Sequence, residues 1–193
     1  MSDQATMQAV AQLVPHGSRV LDLGCGDGAL LAHLQEHQAC TGYGIEIDDA
    51  NVLACVQRGV NVIQLNLEDG LALFEDASFD VVLHVDTLQH LRNTEVVLQE
   101  TARVGRIGVV AFPNFAHWPN RLSIARGRMP VTRRLPYQWY DTPNIRVGTF
   151  ADFELLALRN GLKIQDSFGL QEGRIVRALP NLLAGTAVFR FTR

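Results

Sequence analysis

Residues 20–28 read Val-Leu-Asp-Leu-Gly-Cys-Gly-Asp-Gly, an apolar run that breaks into glycines at alternate positions. It passes at once into a stretch with Leu30, Leu31 and Leu34 at helical spacing. A buried strand turning tightly into a helix is the unit from which parallel α/β sheets are wound. The glycines let the backbone turn sharply and approach a ligand, and the helix N-terminus offers free N–H groups to it. The same alternation continues along the first half. Strands are predicted over 19–23, 41–47, 60–65, 80–85 and 107–112, and helices over 29–37, 49–57 and 95–104. Asp48 is placed to cap the second helix. These strands are apolar on both faces, as central parallel strands covered by helices are.

The chain of 193 residues, 47% hydrophobic and 19% charged, is the size of one domain and can bury a sizeable core. A single domain over 1–193 is expected. A net charge of −3 argues against a nucleic-acid partner or an anionic membrane surface. Every apolar run is interrupted before it could span a bilayer, and the polar start, Met1 to Met7, lacks the pattern of a signal peptide. Cys25, Cys40 and Cys55 have neither C-x-x-C nor metal-ligand spacing. Reduced thiols, no metal and a cytoplasmic protein are the expectation.

Beyond Pro113 the texture changes. Residues 114–148 form an irregular insertion of a length that favours a functional role, with a short helix predicted over 121–125. Between Phe115 and Arg146 lie both tryptophans, Trp118 and Trp139, two of three tyrosines, Tyr137 and Tyr140, and the arginines Arg121, Arg126, Arg128, Arg133, Arg134 and Arg146. Asp141 is the one acid among them. Trp, Tyr and Arg are the residue types that carry binding hot spots, so Trp118, Arg128, Arg133, Arg134, Tyr137, Trp139 and Tyr140 are candidates for a partner surface. A lid over the glycine loop is the competing reading. A helix over 150–160, stopped by Gly161, and closing strands over 163–168 and 187–192 complete the domain.

About twenty residues past the glycines, Glu46 ends the second strand, where a carboxylate binds the ribose hydroxyls of a nucleoside. Gly24, Gly26 and Ala29 satisfy the loose dinucleotide pattern, which makes NAD a competitor. Asp22 opposes it, because its charge would repel a pyrophosphate and suits a ligand with an amino group and a sulfonium, S-adenosylmethionine. The loop after the fourth strand, His84-Val85-Asp86-Thr87-Leu88-Gln89-His90, carries neither Asn-Pro-Pro-Tyr nor a Pro-Cys nucleophile. Asp86 and His90 are weak candidates for an orienter and a general base, and His84 reads as a core histidine. Cys25 reads as a small packing residue.

The glycine block resembles motif I of the class I S-adenosylmethionine-dependent methyltransferases. That resemblance implies a Rossmann-like α/β fold with a mostly parallel seven-stranded sheet, order 3-2-1-4-5-7-6, ending in an antiparallel hairpin. It places Asp22, Gly24, Cys25, Gly26 and Gly28 beside the methionine part of S-adenosylmethionine or S-adenosylhomocysteine. Glu46 would sit on the ribose, Ile47 against the adenine, Asn66 and Leu67 at its amino group, and Val85 and Asp86 at the reactive end. Narrower blocks lie in and around the insertion: Gly127-Arg128-Met129-Pro130-Val131-Thr132 and the run from Leu135-Pro136-Tyr137 through Trp139-Tyr140-Asp141-Thr142-Pro143-Asn144-Ile145. With Pro113-Asn114-Phe115, Gln64-Leu65-Asn66-Leu67 and Arg103-Val104-Gly105-Arg106, they resemble the methionine-biosynthesis MetW family over residues 14–170. Asn66 stands where that family usually carries Asp. The resemblance implies an accessory protein that works with the homoserine O-acyltransferase MetX; the alternative is a methyltransferase acting on a small molecule.

Overall fold

The structure, a computed structural model, describes residues 4–193. Five strands, β1 (Arg19–Leu23), β2 (Thr41–Glu46), β3 (Val62–Gln64), β4 (Phe79–Val85) and β5 (Gly105–Pro113), run parallel. β6 (Lys163–Gln171), β7 (Arg174–Val176) and β8 (Thr186–Thr192) complete one sheet in the order β3-β2-β1-β4-β5-β8-β6-β7, with β8 antiparallel to both β5 and β6.

The expected order is present, with an eighth strand added at one edge. β7 has only three residues, too few for a periodic signal, and is formed by a tight hairpin in which Glu172 and Gly173 both take positive φ (51° and 78°). Two consecutive left-handed residues make the turn that matches the twist of paired strands. Because β7 intervenes, β6 and β8 pair without being a simple hairpin.

Among the described residues seven α-helices flank the sheet: α1 (Gln4–Ala11), α2 (Ala29–Gln38), α3 (Asp49–Gln57), α4 (Thr94–Val104), α5 (Trp118–Ala125), α6 (Phe150–Arg159) and the short α7 (Pro180–Leu183). Leu30, Leu31 and Leu34 of α2 are buried as their spacing predicts. They join Val10, Val20, Val81, Leu83 and Val109 on one face of the sheet. The other face buries Leu21, Leu23, Phe79, Leu98, Phe153, Phe189 and Phe191 beneath α4 and α6. Asp48 caps α3 by accepting from the Asn51 amide (3.0 Å). Two sheet-flanking layers leave the strand ends at one edge open, and the connections reverse direction between β1 and β4, where such sheets bind ligands.

Candidate functional site

Past Leu23 the chain turns through Gly24, Gly26 and Gly28, whose φ angles are 76°, 56° and 75°. This is the left-handed region that side-chain-bearing residues seldom enter. A Cβ on Gly24 would also stand 2.6 Å from Thr87 Oγ1, a buried hydroxyl that donates to the Leu23 carbonyl (2.8 Å) and ties the loop after β4 to the end of β1. Around Gly26, by contrast, no heavy atom lies within 4 Å of where a Cβ would be, so the crest of the loop faces open space.

Glu46 holds this loop in place. Its Oε2 accepts from the Gly26 amide (2.8 Å), and its Oε1 from the amides of Ile47 (2.8 Å) and Asp48 (3.0 Å). A carboxylate has about four acceptor positions, so capacity for a ligand hydroxyl remains. Asp22 lies beneath, 2% exposed, and its Oδ1 has no hydrogen-bond partner among the described residues. Burial, and secondarily the charge of Glu46, push its carboxyl up to about 7. A buried acceptor without a donor is unfavourable by about 1–3 kcal/mol. An ammonium group from a ligand would supply both the donor and the opposing charge. Two carboxylates at the foot of the loop fit a cationic ligand and not a pyrophosphate.

Register brings the remaining residues to the same edge: Leu23 pairs with Ile45, Glu46 with Gln64, and Asp22 with Leu83. Ile47 is 60% exposed, available to cover a flat ring. Asn66 is exposed and its Oδ1 accepts from the Glu68 amide (3.1 Å), starting a short 3-10 turn at Leu67–Asp69. Leu67 and Val85 are buried. The Cys25 side chain fills the space beside Gly44, and its sulfur lies 3.8 Å from that of Cys55, which donates to the Gly26 carbonyl (3.2 Å). Burial raises both thiols, so they act as packing groups and not as nucleophiles.

At the end of β4 the expected pairing of Asp86 with His90 is not formed. Asp86, at φ 56°, accepts from Arg134 Nη2 at 2.6 Å, and His90 Nδ1 meets the Pro143 carbonyl at 3.2 Å. Burial raises the Asp86 carboxyl despite the guanidinium beside it. Both contacts come from the insertion, which therefore folds back over the end of β4. An aspartate held in an ion pair is a poor orienter for a neighbouring imidazole. His84 is fully buried against Thr101 Oγ1 (2.7 Å) with its pKa lowered to about 3 by burial, a core residue as expected.

Within the insertion, α5 begins at Trp118, three residues before the expected helix, because Pro119 occupies its first turn and fits there. The aromatic candidates point outward: Trp118 is 51% exposed, Tyr137 48%, and Trp139 and Tyr140 71% each. Arg128 and Arg133 are also exposed. Arg134 is the exception, turned inward to Asp86 with 20% of its side chain exposed. Asn114, which the sequence offers only as part of a family block, has a structural role beyond those read from the sequence. Asn114, 1% exposed, donates to the carbonyls of Asn181 (3.1 Å) and Ala184 (2.8 Å) and accepts from the amides of Ala116 and Phe150 (both 3.2 Å). It pins both ends of the insertion to α7. An Asn after a strand-ending proline carries no local signal for this. No His/Cys/Asp/Glu group suited to a metal occurs among the described residues, and no described helix is long and apolar enough to cross a membrane.

The family model described as methionine biosynthesis protein MetW matches residues 4–191. A bifunctional methionine biosynthesis protein MetXA/MetW of Rhodopirellula baltica is 36% identical over 200 residues, covering 96% of this chain and 32% of that protein. The chain thus spans about a third of this relative's length. Among solved structures, an S-adenosylmethionine-dependent methyltransferase from Mesorhizobium loti superposes with a TM-score of 0.73 over 98% of each chain at 19% identity. The [4+2]-cyclase SpnF does so with a TM-score of 0.66 over 97% of this chain and 80% of its own, at 17% identity. At those identities the likeness is one of fold.

Proposed function

The chain belongs to the methionine biosynthesis protein MetW family, and from that premise we propose that it is an accessory protein of the cytoplasm which docks on homoserine O-acyltransferase, MetX, and supports its activity. The observation that carries this reading is the outward face of the insertion, where Trp118, Tyr137, Trp139 and Tyr140 stand exposed, as does Arg128. Trp139 and Tyr140 pack edge to face on each other with 71% of each left exposed, and aromatic side chains presented in that number are suited to a desolvated interface. The Rhodopirellula relative supports it further, since one polypeptide there bears both names.

S-adenosylmethionine or S-adenosylhomocysteine is the cofactor of this reading. Asp22 would take its ammonium, Glu46 its ribose hydroxyls, and Ile47 and Asn66 its adenine, with the open crest at Gly26 admitting it. When bound, S-adenosylmethionine supplies an activated methyl group. This chain's own contribution at that end is to hold Asp86 neutralised by Arg134. That contact favours a second reading, a small-molecule methyltransferase with the insertion as its lid. The SpnF likeness shows that the fold is compatible with chemistry of another kind.

Calorimetric titration with S-adenosylhomocysteine, followed by co-elution with the acyltransferase, tests the two parts. The accessory reading expects binding in both, with Trp139→Ala losing co-elution and keeping the nucleoside. Wild-type protein that binds the nucleoside and never co-elutes would leave the methyltransferase reading in its place.

A further inference from the structure

A cavity of about 430 Å³ lies on the α6 side of the insertion, away from Asp22 and the glycine loop. That volume falls within the range of small-molecule sites. Its apolar wall comes from Phe112, Phe115, Phe153, Leu88, Leu135 and Leu156, contributed by β5, the loop after β4, the insertion and α6. Arg146 and Arg159 also line it, against the single acid Asp152. Asp152 is engaged already, accepting from Thr149 Oγ1 at 2.7 Å. Arg146 spends one Nη2 donor on the Arg92 carbonyl (2.9 Å), and Arg159 has no ion-pair partner among the described residues. An apolar wall under two arginines is complementary to a molecule with an apolar body and one anionic head.

We propose that this cavity is a second ligand site, separate from the nucleoside cradle, that binds a small anionic amphiphile: a carboxylic acid whose chain or ring lies against Phe112, Phe153 and Leu156 while its carboxylate meets Arg146 and Arg159. The site adjoins the cradle through two residues. Leu135 follows Arg134 in the chain, and Gln89 Nε2 donates to the Asp86 carbonyl (2.8 Å). The proposal does not depend on the accessory role, because it concerns this chain alone.

The test is calorimetric titration of the full chain with octanoate, octylammonium and octan-1-ol, which share a chain and differ in head. Octanoate is expected to bind with one site per chain and at least about tenfold more tightly than the other two. Added salt is expected to weaken it, since the mouth is open to solvent. The double change Arg146→Gln/Arg159→Gln should remove the preference for octanoate. Val147→Trp, at an exposed lining position (61% exposed), should block entry. Thermal melts accompany each variant, and Arg159→Gln alone, on an exposed side chain, decides the matter if another fails to fold. No octanoate binding, equal binding of octylammonium, or binding unchanged in every folded variant would overturn the proposal.

Discussion

Asp22 and His84 are buried in adjacent strands, and their titrations act on folding in opposite senses. With Asp22 held up to about 7, the folded state prefers its neutral form. Its ionisation costs nothing below the ordinary carboxyl range, more as pH rises, and its full amount above 7. At about 1.4 kcal/mol per pKa unit, that full cost is at most about 4 kcal/mol. Asp22→Asn should therefore gain stability over the parent in urea unfolding at pH 8 and gain nothing near pH 4; a gain independent of pH would contradict the assignment. The same ionisation bears on the ligand. S-adenosylhomocysteine should bind more weakly as pH falls through 7, and Asp22→Asn should bind weakly with no such slope. His84 behaves inversely. Thr101 Oγ1 donates to the Val97 carbonyl (2.8 Å), so the imidazole Nε2–H donates to Thr101 and Nδ1 is left without a partner. With its pKa lowered to about 3, its contribution is full above 6.5 and is lost as pH falls from there toward 3. His84→Leu should move the acid-unfolding midpoint to lower pH, and an unmoved midpoint would place the acid-sensitive group elsewhere.

At the level of elements, the site depends on two ties between strand ends. Thr87 joins the loop after β4 to β1, and Gly24 leaves room for it. Gly24→Ala should cost about 2 kcal/mol from its left-handed backbone alone, with a further cost from Thr87. The penalty should shrink in a Thr87→Ala background, and strict additivity in the double-mutant cycle would exclude that contact as a cause. The second tie is the insertion itself. Arg134→Gln leaves the Asp86 carboxylate part-buried without its cation, a loss of about 1–3 kcal/mol, and should expose residues 114–148 to trypsin. Trp139→Ala should leave the tryptic pattern unchanged. Equal protection in both variants would mean that Arg134 does not hold the insertion down. The strand–glycine–helix unit was legible because its glycines and its apolar period are local. The Arg134–Asp86 pair was not, since 48 residues separate its partners and an arginine in a basic stretch reads as an exposed one. β7 and α7 are too short to leave a period, and α7 is held through Asn114, whose partners there lie 66 to 70 residues away.

Across the whole molecule, the proposed nucleoside cradle and the projecting aromatic face are joined through the Arg134–Asp86 contact. Composition and periodicity carry the domain class, and the motif blocks carry the family. Which aromatic side chains face outward followed only from the fold, because α5 and the anchored loop decide it. Surface substitutions at those positions should leave stability within about 0.5 kcal/mol, while the loss of a hot spot costs about 2 kcal/mol or more in binding. The most direct test is the rate of homoserine acylation by purified MetX from the same source, measured alone, with this protein, and with its Trp139→Ala variant, each with and without S-adenosylmethionine. Strong activation by the wild-type chain and none by the variant is the predicted result. An acylation rate unchanged by the wild-type protein under every condition would contradict the account.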